Sequence, residues 1–105
     1  MTSEIFLYVI TQGWKSGSPH EIEIWYVDYQ SNFYIVGEHR EKTHWVQNIQ
    51  HNSAVQVRLG KDGVWQPAQA RIIHPETDPI LAAEISGLME AKYNWSDGLI
   101  VEIRP

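Results

Sequence analysis

Residues 20–37 have the sequence HEIEIWYVDYQSNFYIVG. Glutamate and isoleucine alternate over residues 21–24, which is the period of a half-buried strand. Residues 30–32 are turn-like, and the apolar and aromatic run over 33–37 is rich in strand formers. This stretch therefore predicts a β-hairpin made of strands 20–29 and 33–37.

Further strands are predicted on both sides of the hairpin. A wholly apolar run precedes it, an alternating run follows it, and Lys61-Asp62-Gly63 is a typical hairpin turn. Pro67 has no backbone N–H, so we expect an edge or a bulge at that position. These predicted strands lie at residues 5–10, 54–59, 64–73 and 99–103.

Two helices are predicted between the strands. In the first, residues 42–51, Trp45 and Ile49 lie four residues apart on one face, with Thr43 as a candidate N-cap and Asn52-Ser53 as the end. The second begins after residues 74–78 with Pro79 in its first position and Thr77 or Asp78 as N-cap. Its apolar stripe consists of Leu81, Ile85, Leu88 and Met89, and residues 94–98 end it.

The order β-β-β-α-β-β-α-β contains hairpins but no βαβ alternation. We therefore predict a mainly β fold, a Greek-key antiparallel barrel of six strands flanked by two helices. The 105 residues are about the size of one domain, so residues 1–105 are expected to form a single domain.

Composition excludes several classes of function. Eight Lys and Arg against 13 Asp and Glu argue against nucleic-acid binding, which requires many cations on one face. The absence of cysteine excludes disulfides, thiolate zinc sites and cysteine nucleophiles. No apolar run approaches the roughly 20 residues that span a bilayer, and residues 1–4 lack the basic start of a secretory signal. We expect a soluble, cytoplasmic protein without stable membrane insertion.

Two polar loops are candidate anion sites. Residues 13–17 (GWKSG) offer the charge of Lys15, the hydroxyl of Ser16 and a flexible Gly17, although they lack the Walker A spacing and no helix follows. The loop equally fits a plain β-turn with a solvated lysine. Residues 37–45 place His39, Arg40 and Lys42 before a helix N-terminus, which favours an anion, but two glutamates there also fit self-compensating surface charge.

Histidine spacing does not favour a metal site. His39, His44 and His51 lie five and seven residues apart, so no pair falls at the i, i+4 spacing that brings two imidazoles onto one helix face. We expect no bound metal.

Three of these features together resemble the deazaflavin (F420)-dependent nitroreductase family of the flavin-binding split β-barrels, the pyridoxamine phosphate oxidase-like superfamily. Residues 13–19 (GWKSGSP) are similar to the family's G-R-K-S/T-G-x-P loop, and residues 45–53 (WVQNIQHNS) are similar to W-x-x-N-L-x-x-N-P. The hairpin lies between them at the expected spacing. Trp14 occupies the place of the family's usual arginine, so one phosphate contact is lost.

The resemblance implies roles for residues at matching positions. Lys15 and Ser16 would contact the cofactor phosphate, Trp45 and Asn48 would hold the 38–42 loop against the barrel, and Tyr26 and Tyr93 would lie on the substrate side. The full set implied to bind the cofactor is Lys15, Ser16, Gly17, Ile24, His39, Arg40, Lys42, Trp45 and Asn48.

The implied function is hydride transfer from reduced F420 or FMN to an organic acceptor such as a quinone or a nitro compound. The cofactor performs this chemistry, and the protein contributes orientation and water exclusion. The alternative is a non-catalytic split barrel that binds or sequesters a flavin or haem. Exposed tryptophans and an incomplete cavity wall also predict a homodimer.

Overall fold

The structure, a computed structural model, describes residues 5–105; the N-terminal residues 1–4, considered above as a possible signal, lie outside the described part. Strands and helices follow one another in the order β1 (Phe6–Gln12), β2 (Pro19–Trp25), β3 (Val27–Tyr29), β4 (Asn32–Gly37), α1 (His44–His51), β5 (Ala54–Leu59), β6 (Gln66–Ile73), α2 (Pro79–Tyr93) and β7 (Leu99–Arg104). A short 3-10 turn, Arg40–Lys42, precedes α1.

The strands form one antiparallel sheet in the order β2-β1-β5-β6-β7-β4-β3. β2 and β3 lie at opposite edges of this sheet, yet Tyr26 alone joins them in the chain. The sheet must therefore curl until its two edges approach each other, which produces the barrel. The predicted mainly β antiparallel barrel with two helices is confirmed.

One strand differs from the prediction. The predicted strand 20–29 is divided at Tyr26 into β2 and β3, which gives seven strands instead of six. Tyr26 does not pair within the sheet: its N–H donates to the hydroxyl oxygen of Tyr93 at 3.1 Å, and its carbonyl oxygen lies 2.9 Å from that hydroxyl. The Tyr93 hydroxyl therefore takes the place of a neighbouring strand at the bend.

Two apolar clusters stabilise the fold. The barrel interior contains the inward residues of the strands and is closed by Val46 and Ile49 of α1. The second cluster lies outside the barrel, where Ile85 and Met89 of α2 pack on the outer face of β4, β6 and β7. Because side chains alternate along each strand, one set faces the barrel interior and the other set faces outward.

Element ends follow the predicted positions, with differences in detail. Thr43 and Asp78 occupy the N-cap positions of α1 and α2, but neither side chain makes a capping hydrogen bond. Strand β6 begins at residue 66 instead of 64. At Pro67 this strand is paired only with β5, because its pairing with β7 begins at Gln69. The predicted edge at Pro67 is therefore confirmed.

A buried carboxylate joins three central strands. Glu102 of β7 lies opposite Tyr34 of β4 and Arg71 of β6 in the strand register. Its carboxylate accepts hydrogen bonds from the Tyr34 hydroxyl at 2.8 Å, from Arg71 at 3.3 Å and from Arg104 at 3.1 Å. Burial alone would raise the pKa of Glu102, but the hydrogen bonds from Arg71 and Tyr34 lower it below its ordinary value of 4.5.

This lowered pKa predicts how stability depends on pH. Glu102→Gln should reduce the free energy of unfolding near neutral pH by about 1–2 kcal/mol, because the charge-assisted hydrogen bonds are lost. The contribution of the carboxylate is complete above the pKa of the unfolded chain and disappears as pH falls through the lower folded-state pKa. Urea unfolding at neutral and acid pH measures both effects.

The matched control is Glu76→Gln, at an exposed glutamate in the turn before α2. It should leave the free energy of unfolding unchanged within about 0.5 kcal/mol. A stability difference between wild type and Glu102→Gln that stayed constant down to acid pH would contradict the assignment.

Candidate functional site

Two neighbouring pockets lie along β2. The loop pocket, about 520 Å³, is formed by the 13–16 loop, residues 20–22 and the first turns of α1. The aromatic pocket, about 580 Å³, is lined mainly by aromatic and apolar side chains and by Glu23, Glu38, His39 and Thr43. Trp45 lines both pockets, so they adjoin each other at its indole ring.

The loop beside the first pocket is a compact turn. Its ends are joined by hydrogen bonds from Gly13 N to Ser18 O and from Gly17 N to Gly13 O, each 2.8 Å long. Gly17 has a φ of +74°, a conformation that glycine adopts without steric cost. The side chain of Gln12 donates to the Gly17 carbonyl, and the N–H of Ser18 donates to the Ser16 hydroxyl at 3.2 Å.

Asn48 attaches this loop to the barrel. Its side chain is buried on α1, where the amide nitrogen donates to Thr11 Oγ1 of β1 at 3.0 Å and the amide oxygen accepts from the Trp14 N–H at 3.1 Å. One amide thus joins a helix, a strand and the loop. The resemblance assigned Asn48 to the 38–42 loop; the hydrogen bonds instead connect it to the 13–17 loop.

Trp14 makes a stack at the rim of the loop pocket. Its ring lies parallel to the ring of His51 on α1, with centroids 4.2 Å apart, and Lys15 Nζ lies 4.9 Å from the Trp14 centroid. Such cation–π and stacking contacts orient a side chain without removing its charge from solvent. The lysine, which lines the loop pocket, therefore has a defined position beside Trp14.

Two polar groups of the loop pocket pack closely against the backbone of Gly13. A Cβ placed on Gly13 would lie 2.7 Å from Ser16 Oγ and 2.8 Å from His20 Nε2, closer than real Cβ contacts. The hydroxyl and the imidazole thus converge on the face of Gly13 that carries no side chain. A larger residue at position 13 would therefore collide with these two groups.

The aromatic pocket is supported from behind by Tyr93. The ring of Trp25, which lines the pocket, stacks on Tyr93 with centroids 4.6 Å apart and an interplanar angle of 7°, and it meets Trp95 edge-on at 6.2 Å. The Tyr93 hydroxyl also lies 2.7 Å from the Ile5 carbonyl oxygen. Burial raises the pKa of Tyr93, so the hydroxyl stays protonated near neutral pH.

Thr43 contributes a hydrogen-bonding group to the wall of the aromatic pocket. Its Oγ1 is buried and has no hydrogen-bond partner within residues 5–105. Buried hydroxyls are nearly always paired, so such an atom calls for an explanation, and a bound ligand is one.

The structure brings six of the sequence-predicted residues to the two pockets. Lys15, Ser16 and Asn48 line the loop pocket, Ile24 and His39 line the aromatic pocket, and Trp45 lines both. Gly17 shapes the loop but lies outside the pocket lining.

Four predicted residues lie elsewhere. Arg40, whose φ is +51°, pairs with Asp97 at 3.0 Å on the far side of its loop, and Lys42 lines neither pocket. Tyr26 is fully buried in the core, so its ring does not reach the aromatic pocket. Tyr93 touches the pocket only through Trp25.

The pocket residues that sequence reasoning missed include His20, Trp25 and Trp95. A signal existed for His20, because the alternation that places Ile22 and Ile24 on the inner face also places residue 20 there. No comparable signal existed for the two tryptophans, since their contact depends on how the loop after α2 returns to the barrel.

Within residues 5–105, no group of three His, Asp or Glu side chains could hold a metal ion. None of the helices in the same range is long and apolar enough to cross a membrane.

Removal of the buried side-chain amide of Asn48 should measurably lower the stability of the protein. Asn48→Ala should lower the free energy of unfolding by about 2–3 kcal/mol, because two hydrogen bonds are lost and Thr11 loses its buried partner. It should also accelerate hydrogen exchange of the Trp14 amide, which loses its acceptor. Chemical unfolding and amide exchange measure the two effects.

Gln50→Ala, on the exposed side of the same helix, is the matched control and should change stability by less than about 0.5 kcal/mol. If Asn48→Ala and Gln50→Ala unfolded at the same denaturant concentration, the amide would not have the anchoring role described.

The likeness to known structures agrees with this architecture. The haem storage protein HutZ from Vibrio cholerae superposes with a TM-score of 0.78 at 14% identity, covering 98% of this chain and 82% of that one. An F420-H2 dependent reductase gives 0.63 at 20% identity, with 95% and 94% covered. A FAD-binding protein from Mesorhizobium loti gives 0.70 at 13%, with 98% and 82% covered. At these identities the similarity shows the split-barrel fold.

The sequence comparisons identify the family. No curated protein sequence matches the chain. The family model described as F420H(2)-dependent quinone reductase matches residues 2–96, which is most of the chain and includes both loops that form the pockets. The resemblance to deazaflavin-dependent split-barrel reductases is confirmed, and the chain belongs to the F420H(2)-dependent quinone reductase family.

Proposed function

We propose that this protein binds F420 across the two pockets and transfers a hydride from its reduced form to a quinone-type acceptor. The negatively charged tail would occupy the loop pocket and the planar ring the aromatic pocket. The observation that carries the proposal is the shared wall at Trp45, because adjoining polar and aromatic pockets suit one ligand with a charged end and a flat end.

The loop pocket fits an anionic group. Lys15 supplies a positive charge and Ser16 supplies a hydroxyl among the side chains that line it. Asn48 holds the loop in place before any ligand binds, so little ordering entropy is lost on binding.

The aromatic pocket fits a flat ring with polar edges. Trp25, Trp45 and Trp95 supply aromatic surface, and Thr43 supplies an unused hydroxyl that a rotation about Cα–Cβ would turn toward a ring atom. His39 lies at the same pocket and offers a second polar group. These residues would orient the ring and exclude water from one side.

The bound deazaflavin supplies the hydride, and the chain contributes binding and orientation. Stacking of Trp25 on Tyr93 makes the pocket wall rigid, since the Tyr93 hydroxyl is itself fastened to the backbone of residues 5 and 26. A rigid wall keeps the reacting face of the ring at a constant distance from an acceptor, which is how positioning accelerates transfer.

Binding and activity test the proposal directly. Purified protein should change the fluorescence of F420 saturably, and reduced F420 should be consumed when a quinone or a nitro compound is added. FMN serves as the competing cofactor in the same titration. If neither cofactor bound, the proposed oxidoreductase function would be wrong.

A second candidate is a non-catalytic module that sequesters a flavin or haem. It is favoured by the similarity to a haem storage protein and by His39, an available imidazole at an aromatic pocket. Absorbance after adding haemin distinguishes the two: a stoichiometric shift of the Soret band that required His39, without consumption of reduced F420, would favour storage.

The position of Lys15 in the loop pocket predicts how much affinity is lost when its contact with the anionic tail of F420 is removed. Lys15→Ala should weaken F420 binding by about 1–3 kcal/mol, the range for a hydrogen bond to a charged group. Lys61→Ala is the charge-matched control, because Lys61 lies in the turn between β5 and β6 and lines neither pocket. Equal dissociation constants for the two variants would remove Lys15 from the site.

We also propose that the protein acts as a homodimer. Trp14 and Trp25 are large apolar residues that are each more than a third exposed. A partner subunit would cover such surface. Light scattering at micromolar concentration should give twice the mass of the chain, and a monomeric mass would contradict the proposal.

A further inference from the structure

We propose that a second copy of this chain docks on the outer face of β2, β1, β5 and the first residues of β6, with the two-fold axis parallel to the strands. This interface rests on the homodimer of the proposed function and specifies which surface pairs. The surface is called the open face below. Its central side chains are Tyr8, Ile10, Glu21, Glu23, Gln56 and Arg58.

The fold leaves the open face without a covering element. Leu7 of β1 and Val57 of β5 point into the barrel, so the residues that alternate with them point outward. Helix α2 packs on the outer face of β4, β6 and β7, and α1 closes the barrel interior. In the part of the chain that the structure describes, neither helix therefore packs on the open face. Its side chains form continuous rows, since Ile10 is paired with both Glu21 and Gln56.

The residue types of the open face are those of an interface. Strands β1, β2, β5 and β6 contain no lysine, the residue that commonly protects an exposed sheet and is depleted at interfaces. Arg58 Cζ lies 4.9 Å from the ring centroid of Tyr8 and 4.8 Å from that of Trp65. Arginine, tyrosine and tryptophan are enriched among the residues that dominate binding energy. The two rings already order Arg58, so little side-chain entropy is lost when a partner covers it.

The open face is large enough for a second copy. Four neighbouring strands form it, because Pro67 at the start of β6 is paired with Gln56 of β5. At about 4.8 Å between strands and about 3.4 Å per residue along β1, its flat area is roughly 450 Å². Side-chain relief and the rim raise the accessible surface toward the roughly 800 Å² per partner of a standard interface. The rim includes Trp25, which is 39% exposed and lies on the same side of β2 as Glu23.

Charge decides how the second copy lies on the open face. Glu21 and Glu23 are both on β2, at one side of the face. Arg58 is on β5, and Arg104, with 62% of its side chain exposed, is on β7 beside Gln69 of β6. A two-fold axis across the strands would place β2 on β2, so that glutamates would face glutamates. An axis parallel to the strands, between β1 and β5, places β2 of each copy over β6 of the other, so the acidic side of one copy faces the basic side of the other.

This axis brings the two Gln56 side chains of the dimer together. Gln56 is exposed on β5, directly beside the axis, and it faces β1 of the second copy near Ile10. Sheets that pack face to face lie about 10 Å apart, so two glutamine side chains reach each other across the interface. An amide both donates and accepts hydrogen bonds, which suits a position that meets its own copy. A charge at position 56 would instead meet the same charge.

Two opposite charges at this position test the interface. Gln56→Lys and Gln56→Glu should each weaken self-association by about tenfold or more, because like charges meet beside the axis. An equimolar mixture of the two variants should form a heterodimer, since the charges are then opposite. Sedimentation velocity over the micromolar range measures self-association. Native mass spectrometry, with one variant isotope-labelled, identifies the heterodimer.

The matched controls are Gln50→Lys and Gln50→Glu, which place the same charges on the exposed side of α1, outside the open face. Both should self-associate as wild type does. Chemical unfolding of all four variants at a concentration where the wild type is monomeric should give the same free energy of unfolding, which shows that the fold is intact.

The outcomes separate this interface from the proposed oxidoreductase function. A wild type that stays monomeric over the micromolar range, Gln56 variants that dimerise as wild type does, or a mixture without heterodimer would each overturn the interface. If the variants behave as expected but F420 does not bind, the interface stands and the oxidoreductase function is wrong. If F420 binds to a monomeric wild type, the function stands and the interface is wrong.

Discussion

The hydroxyl of Tyr93 is the contact on which both barrel closure and the aromatic pocket depend. It meets the N–H and the carbonyl of Tyr26 and the carbonyl of Ile5, so the last turn of α2 is fastened where the sheet changes direction. Lys92 Nζ also donates to the Tyr26 carbonyl at 3.0 Å, so two side chains of α2 meet the backbone at the bend. The Tyr93 ring supports Trp25 from behind. The contact that fastens the bend of the barrel thus also supports the wall of the aromatic pocket.

Asn48 has the corresponding role at the other end of β2. Its amide joins α1, β1 and the 13–17 loop, so the loop conformation is set by the packing of the helix on the barrel. The two pockets therefore meet at Trp45 because α1 closes the barrel between two fixed loops. Neither pocket needs a helix or strand of its own. Each forms where a loop is attached to the core by one buried polar group.

Local patterns in the sequence predicted most of the fold. Alternation and turn residues identify the strands, and helical spacing identifies both helices, since these signals depend only on neighbouring residues. The break at Tyr26 was not predictable, because residues 20–29 are continuous in strand propensity and the bend depends on a hydroxyl 67 residues away. The site was predicted less completely for the same reason. Arg40 belongs to a basic loop in the sequence, but its charge is directed to Asp97, 57 residues further along the chain.

A chain with a negative net charge can still bind an anion, because electrostatic attraction at short range depends on the nearest charges. At physiological ionic strength charges more than about 8 Å apart are largely screened when exposed. The acidic residues that give the chain its net charge of −5 therefore matter less to the loop pocket than Lys15, which lines it. Glu21 differs from the other acidic residues because it lines the loop pocket. Its pairing with Arg58 reduces the effect of its negative charge on that pocket. The proposed binding of an anion in the loop pocket would thus depend on which charges are paired elsewhere, and the Glu21–Arg58 pair beside the pocket contributes to it in that sense.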